Sequence, residues 1–291
     1  MSTHLPVTIP GDSPELRRTL EQIYWGLAHD PAMAAQIAAD LFCTVNRTHP
    51  GGREQAVLRD ARTITLETVR GKPFVTYQWG DDGPLVVMMH GWEMQAGRWS
   101  AFVRPLTDAG YRVAAIDAVA HGQSPGDRAA MVDFMESIKA AVDHFGTPHA
   151  LIGHSLGGAA VYYGMATLGI PTTRAVLMST FDRVEYIVEV WADAMRLPRD
   201  ILPLIYTYFE QTYGVWSPDY VADNAVPQIA HIPALIVHDR DDEVIPYALG
   251  ERVARLWTAS RLMSTERLRH FMPLRSPEVV NAVVRFVGQG Q

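Results

Sequence analysis

The stretch that most constrains this chain is Ala150-Leu151-Ile152-Gly153-His154-Ser155-Leu156-Gly157-Gly158. The apolar run Ala150 to Ile152 predicts a buried strand. The small and apolar residues Ala159 to Ala166 predict a helix packed on a sheet. Between them, Gly-His-Ser-Leu-Gly must turn sharply, so Gly153 and Gly157 stand where a Cβ would meet the facing strand and helix. Ser155 is then lifted above the sheet beside the N-terminal amides of the helix. In this setting it is a candidate nucleophile.

The rest of the chain supports a sheet around that turn. Leu85–Met89, Tyr111–Ile116, Arg174–Met178, Ala234–His238 and Ser260–Ser264 read as short strands. Helices are expected over Ala96–Ala109, Ala129–Phe145, Pro246–Trp257 and Pro277–Val287. This alternation predicts a mostly parallel sheet covered by helices on both faces. Ahead of it, Thr63–Val69 and Phe74–Trp79 alternate in polarity about Arg70-Gly71-Lys72 and predict a hairpin. Ser13-Pro14-Glu15 and Asp30-Pro31 each open a helix, and His49-Pro50-Gly51-Gly52 ends that helical region.

We read residues 1–60 as an N-terminal helical arm that covers the main domain and carries no catalytic group, with residues 1–13 loose. The α/β core is expected over 61–180 and 231–291. Residues 181–230 break the rhythm. They hold Phe181, Tyr186, Trp191, Tyr206, Tyr208, Phe209, Tyr213, Trp216 and Tyr220 at helical periodicity, which predicts a helical cap inserted after strand 6.

Composition narrows the function classes. A net charge of −7 offers no basic patch for nucleic acid or an anionic membrane, and Cys43, the only cysteine, excludes an intrachain disulfide and a cysteine-based metal cluster. The opening residues show neither a basic nor an apolar leader segment, and no apolar run is long enough for a membrane helix. The expected compartment is the cytoplasm.

A serine nucleophile needs a base, a group that orients the base, and donors for an oxyanion. His90-Gly91-Trp92 ends an early strand in a turn able to aim the Trp92 N–H at the same point as that of Leu156. Asp239, Asp241 and Asp242 follow the strand Leu235–His238, and composition does not choose among them. His270 precedes the last helix.

These segments resemble the α/β-hydrolase superfamily, in its bacterial serine esterase and thioesterase branch. His90-Gly91-Trp92-Glu93 is similar to its oxyanion loop, Asp117-Ala118-Val119-Ala120-His121-Gly122-Gln123-Ser124 to its D-x-x-x-H-G-x-S loop, and Gly153–Gly157 to its nucleophile elbow. Asp242-Glu243-Val244-Ile245-Pro246 is similar to its acid turn, which selects Asp242. In many relatives a glycine precedes the histidine, whereas here Arg269 does.

The resemblance implies an α/β-hydrolase fold and a triad of Ser155, Asp242 and His270, with Trp92 and Leu156 as oxyanion donors. It implies hydrolysis of a small-molecule carboxylic ester or thioester through an acyl-enzyme, with no cofactor and no metal. A C–C bond hydrolase, lyase or acyltransferase would use the same machinery, and a non-enzymatic receptor would not need it. His121 and His154 are read as loop-ordering and packing residues, and Glu93 is given no role.

Overall fold

The computed structural model describes residues 13–214 and 220–289. Residues 1–12 of the expected loose end, and Trp216 of the aromatic stretch, lie outside the described residues. Ser13 accepts the Leu16 N–H at 3.1 Å and opens α1 (Pro14–His29). Asp30 accepts the Met33 N–H at 3.1 Å and opens α2 (Pro31–Cys43). The helical region does not end there. α3 (Gly52–Arg59) follows, because Glu54 in its first turn reaches back to the Gly51 N–H at 3.1 Å and replaces the missing side-chain cap.

Eight strands form one sheet in the order β1-β2-β4-β3-β5-β6-β7-β8. β1 (Arg62–Glu67) and β2 (Pro73–Trp79) make the antiparallel hairpin, and β2 pairs antiparallel with β4 (Arg112–Asp117). From β4 onward all pairs are parallel: β3 (Leu85–Met89), β5 (Ala150–His154), β6 (Ala175–Met178), β7 (Ala234–Asp239) and β8 (Ser260–Thr265).

The central strands are apolar at nearly every position because both faces are covered. Val86, Met88, Ile152 and Val176 face α4 (Ser100–Asp108) and α11 (Pro277–Val287). Val87, Met89, Leu151 and Leu177 face the core that holds α5 (Met131–Phe145) and α6 (Leu156–Thr167). The expected single helix from Ala96 divides: a tight 3₁₀ turn, Ala96–Trp99, precedes α4. Its first N–H is drawn to the Asp117 carboxylate at 2.6 Å.

Between β6 and β7 the chain is helical in α7 (Val184–Ala194), α8 (Leu202–Tyr213) and α9 (Ala222–Ile229). α10 (Tyr247–Leu256) begins one residue later than expected, because Pro246 itself is extended and stands as the cap. Among the described residues, no helix is long and apolar enough to cross a membrane.

Candidate active site

The parallel strands end along one edge, and the site is built from the loops that leave it. β5 runs into Ser155, whose backbone stands at φ 54°, ψ −121°. The Ser155 N–H is held by the Met178 carbonyl of β6 at 2.8 Å, and its own carbonyl accepts the Ala159 N–H of α6. The two glycines leave room for this turn. A Cβ on Gly153 would lie 2.6 Å from Gly158 Cα, and one on Gly157 would lie 2.8 Å from the Met89 carbonyl carbon. Only a bare backbone fits between β3 and α6.

The loop after β3 runs alongside: a Cβ on Gly91 would stand 3.1 Å from the Ser155 Cβ. Trp92 follows Gly91, and Leu156 is the first residue of α6, whose leading amides have no partner within the helix. The loop is fixed from beneath. His90 donates through Nδ1 to the Gly91 carbonyl at 2.6 Å and accepts the Ala118 N–H at Nε2, at 3.1 Å. Asp117 accepts the Ala96 and Gln123 N–H groups, and Ser124 donates to the Asp117 carbonyl while accepting the Val75 N–H. The Asp117-to-Ser124 motif thus ties β2, β4 and the loop after β3 together. Burial raises the Asp117 carboxyl to about 6.

Of the three aspartates after the strand, Asp242 meets the histidine. Its carboxylate lies 2.9 and 3.1 Å from His270 Nδ1, with both side chains buried. It also accepts the Val244 and Ile245 N–H groups at 2.9 and 2.8 Å, and His238 Nε2 stands 3.4 Å away. Burial alone would raise the Asp242 carboxyl. Hydrogen bonds from His238, His270 and the Ile245 amide outweigh it and hold the group well below the usual carboxylate range. With Nδ1–H donating to Asp242, His270 keeps Nε2 as an acceptor. No hydrogen bond joins Ser155 to His270 among the described residues.

Three residues outside the expected set place His270. His154 Nε2 donates to the His270 carbonyl at 2.9 Å, and Ser179 Oγ reaches the same oxygen at 3.4 Å. His154 is wholly buried, and desolvation lowers it to about 3, so it is a neutral donor. The third is Asp239. Its buried carboxylate accepts from Thr265 Oγ1 at 2.7 Å and from the amides of Asp241, Leu268 and Arg269 at 2.9–3.0 Å.

That brace explains how a non-glycine residue, Arg269, stands just before the histidine. Arg269 and Arg267 both lie in the left-handed region, at φ 55° and 64°, a conformation that costs a non-glycine residue on the order of 1 kcal/mol. Asp241 is exposed and accepts the Arg267 N–H at 2.8 Å. The signal available in the sequence was the pairing of a buried strand-end aspartate with a non-glycine residue before the histidine.

Ser155 opens on a narrow cavity. Its wall is almost entirely apolar, with Trp92, Leu156, Val184, Ile187, Phe209 and Phe42 prominent. Glu93, in the loop with Trp92, is buried rather than solvated and stands at φ 55°. It accepts the Asn46 N–H and Nδ2 at 3.0 and 2.9 Å.

Residues 81–214 match the family model described as serine aminopeptidase, S33. Over 270 residues the chain is 27% identical to the non-heme chloroperoxidase of Streptomyces lividans, an alignment covering 75% of this chain and 96% of that protein. Over 93 residues it is 36% identical to the monoacylglycerol lipase of Mycolicibacterium smegmatis, covering 29% of this chain and 33% of the lipase. An esterase from Exiguobacterium antarcticum superimposes with a TM-score of 0.60 at 19% identity, over 77% of this chain and 98% of that one.

Proposed function

We infer that this chain is an α/β hydrolase and that it hydrolyses a carboxylic ester or thioester through an acyl-enzyme on Ser155. The observation that carries this reading is the buried Asp242–His270 pair, whose free Nε2 belongs to the same strand-end edge as the strained serine and its apolar cavity.

In the reaction, Ser155 Oγ attacks the carbonyl carbon as His270 Nε2 takes its proton. The resulting imidazolium is held by the Asp242 carboxylate. The oxyanion is received by the amides of Trp92 and Leu156, each such donor being worth about 3 kcal/mol. Collapse breaks the bond to the alcohol or thiol, which leaves with the proton from His270. Water, deprotonated by the same nitrogen, then releases the acid and restores the serine. In comparable sites the serine–histidine hydrogen bond tightens when substrate binds. The cavity wall carries little polar surface, which favours an uncharged acyl group.

A fluorophosphonate probe is expected to label Ser155 and nothing else. Ser155→Ala is expected to lose label and to drop p-nitrophenyl ester turnover by about 10⁴-fold or more, with unchanged melting. Wild-type turnover in that variant would sink the nucleophile assignment.

A further inference from the structure

The N-terminal helices enter the site. Among the described residues around the cavity beside Ser155, Phe42 alone comes from them. It lies at the end of α2, half-buried, with its ring edge-on to Trp191 of α7 at 5.3 Å and to Phe209 of α8 at 6.0 Å. A second, larger cavity, which Phe42 also lines, opens between the N-terminal helices and the core. Phe42 and Trp92 line both, so the phenyl ring stands as part of the partition between an apolar hollow and a larger, more polar one that includes Thr19, Gln22 and Asn46.

The ring is held in place by its own chain. Immediately after it, Cys43 O accepts the Ala129 N–H at 3.0 Å, Thr44 bridges Arg128, and the Val45 N–H bonds Asp127 O at 2.9 Å. Asn46 bonds the Glu93 carboxylate twice, Thr48 Oγ1 donates to the Glu93 carbonyl at 2.6 Å, and Arg47 donates to the carbonyls of Gly122 and Gly126. The segment is laced between the loop that carries Trp92 and the loop that leads into α5. A side chain at position 42 therefore keeps a fixed distance from Ser155.

We propose that Phe42 is the specificity-determining residue that limits acyl length, so that the protein takes esters of short and medium uncharged acyl groups and rejects long ones. This rests on the ester-hydrolase reading above. An acyl chain that grows past the hollow meets the phenyl ring. Removing the ring joins the two cavities and lets the chain continue beneath the N-terminal helices.

The test is kcat/KM on p-nitrophenyl esters of graded length, from acetate to laurate, for the unsubstituted protein, Phe42→Ala and Phe42→Leu. The unsubstituted protein should peak at short or medium length and fall beyond it. Phe42→Ala should shift the optimum by two or more methylenes, with a gain on the order of tenfold on the longer esters, and Phe42→Leu should shift it less. If Phe42→Ala melts early, Phe42→Leu decides. An unchanged length profile in folded variants overturns the proposal while leaving the hydrolase reading intact. Absence of ester turnover and of Ser155 labelling in the unsubstituted protein overturns both.

Discussion

The turn at Ser155 and the loop at His270 meet the same demand by opposite means. Each must hold a residue in the left-handed region, Ser155 at φ 54° and Arg269 at φ 55°, to present a side chain at the edge of the sheet. Around Ser155 the solution is steric and local: glycines at 153 and 157 let β3, β5 and α6 close on the turn. Around His270 no glycine helps. Asp239, thirty residues earlier in sequence, gathers the Leu268 and Arg269 amides, while His154 and Ser179 fix the His270 carbonyl. The first region should therefore suffer from added atoms, and the second from lost hydrogen-bond acceptors.

The largest effect tests whether Asp242 alone is the orienting acid. Asp242→Asn should lower kcat by about 10⁴-fold, as in comparable triads where the histidine tautomer is lost, whereas Asp241→Asn should change it little. An equal loss in the two variants at matched melting temperature would remove Asp242 from the role.

Next comes the steric side. Gly157→Ala places a methyl against the Met89 and His90 carbonyls, and backbone cannot rotate away as a side chain can. We expect destabilisation on the order of 3 kcal/mol, read by urea unfolding. A variant that unfolds like the parent would show that the elbow has slack and would dissolve the contrast.

Asp239→Asn sharpens the other side. The amide keeps one acceptor oxygen where two carboxylate oxygens shared four donors. His270 should lose its placement, with kcat down by about 10–100-fold and KM nearly unchanged. A rise in KM alone would mean that Asp239 shapes the pocket and not the base.

The two regions should also part in acid. Near the elbow, burial lowers His121 to about 4 and His90 well below its ordinary value. Folded, these rings are neutral, and unfolded they take up protons below about pH 6.5. Stability is thus whole above that pH and lost as it falls, by about 1.4 kcal/mol per pH unit for each ring. Asp239 and Asp242, held low by their donors, shed their contributions only as pH falls below the ordinary carboxylate range near 4. Denaturation from pH 7.5 to 3 should show two stages, and a curve flat down to pH 5 would contradict the first.

Much of the core was legible because its signals are short-range. Leu85–Met89 and Pro277–Val287 have the bounds their patterns predicted, and β5 runs on only to His154, since burial on both faces leaves apolar runs that turn residues interrupt. α3 was missed because Gly51 and Gly52 read as a stop, and only the return of Glu54 to the Gly51 amide made them a start. Glu93 was given no role because nothing near it in sequence reveals Asn46 as its partner.

The strand-turn-helix at Ser155 and the parallel sheet that surrounds it are already written in the sequence. Each of these follows from backbone sterics and polarity within a dozen residues. The tertiary structure brings Asp242 to His270, as the resemblance implied, and adds what no motif implied: Asp239 braces the loop before His270, and Phe42 walls the cavity beside Ser155. The first two are contacts between groups 28 and 30 residues apart, and the third places residues 113 apart on the wall of one cavity. No local pattern records such a meeting, because its free energy depends on where the whole sheet places the two ends.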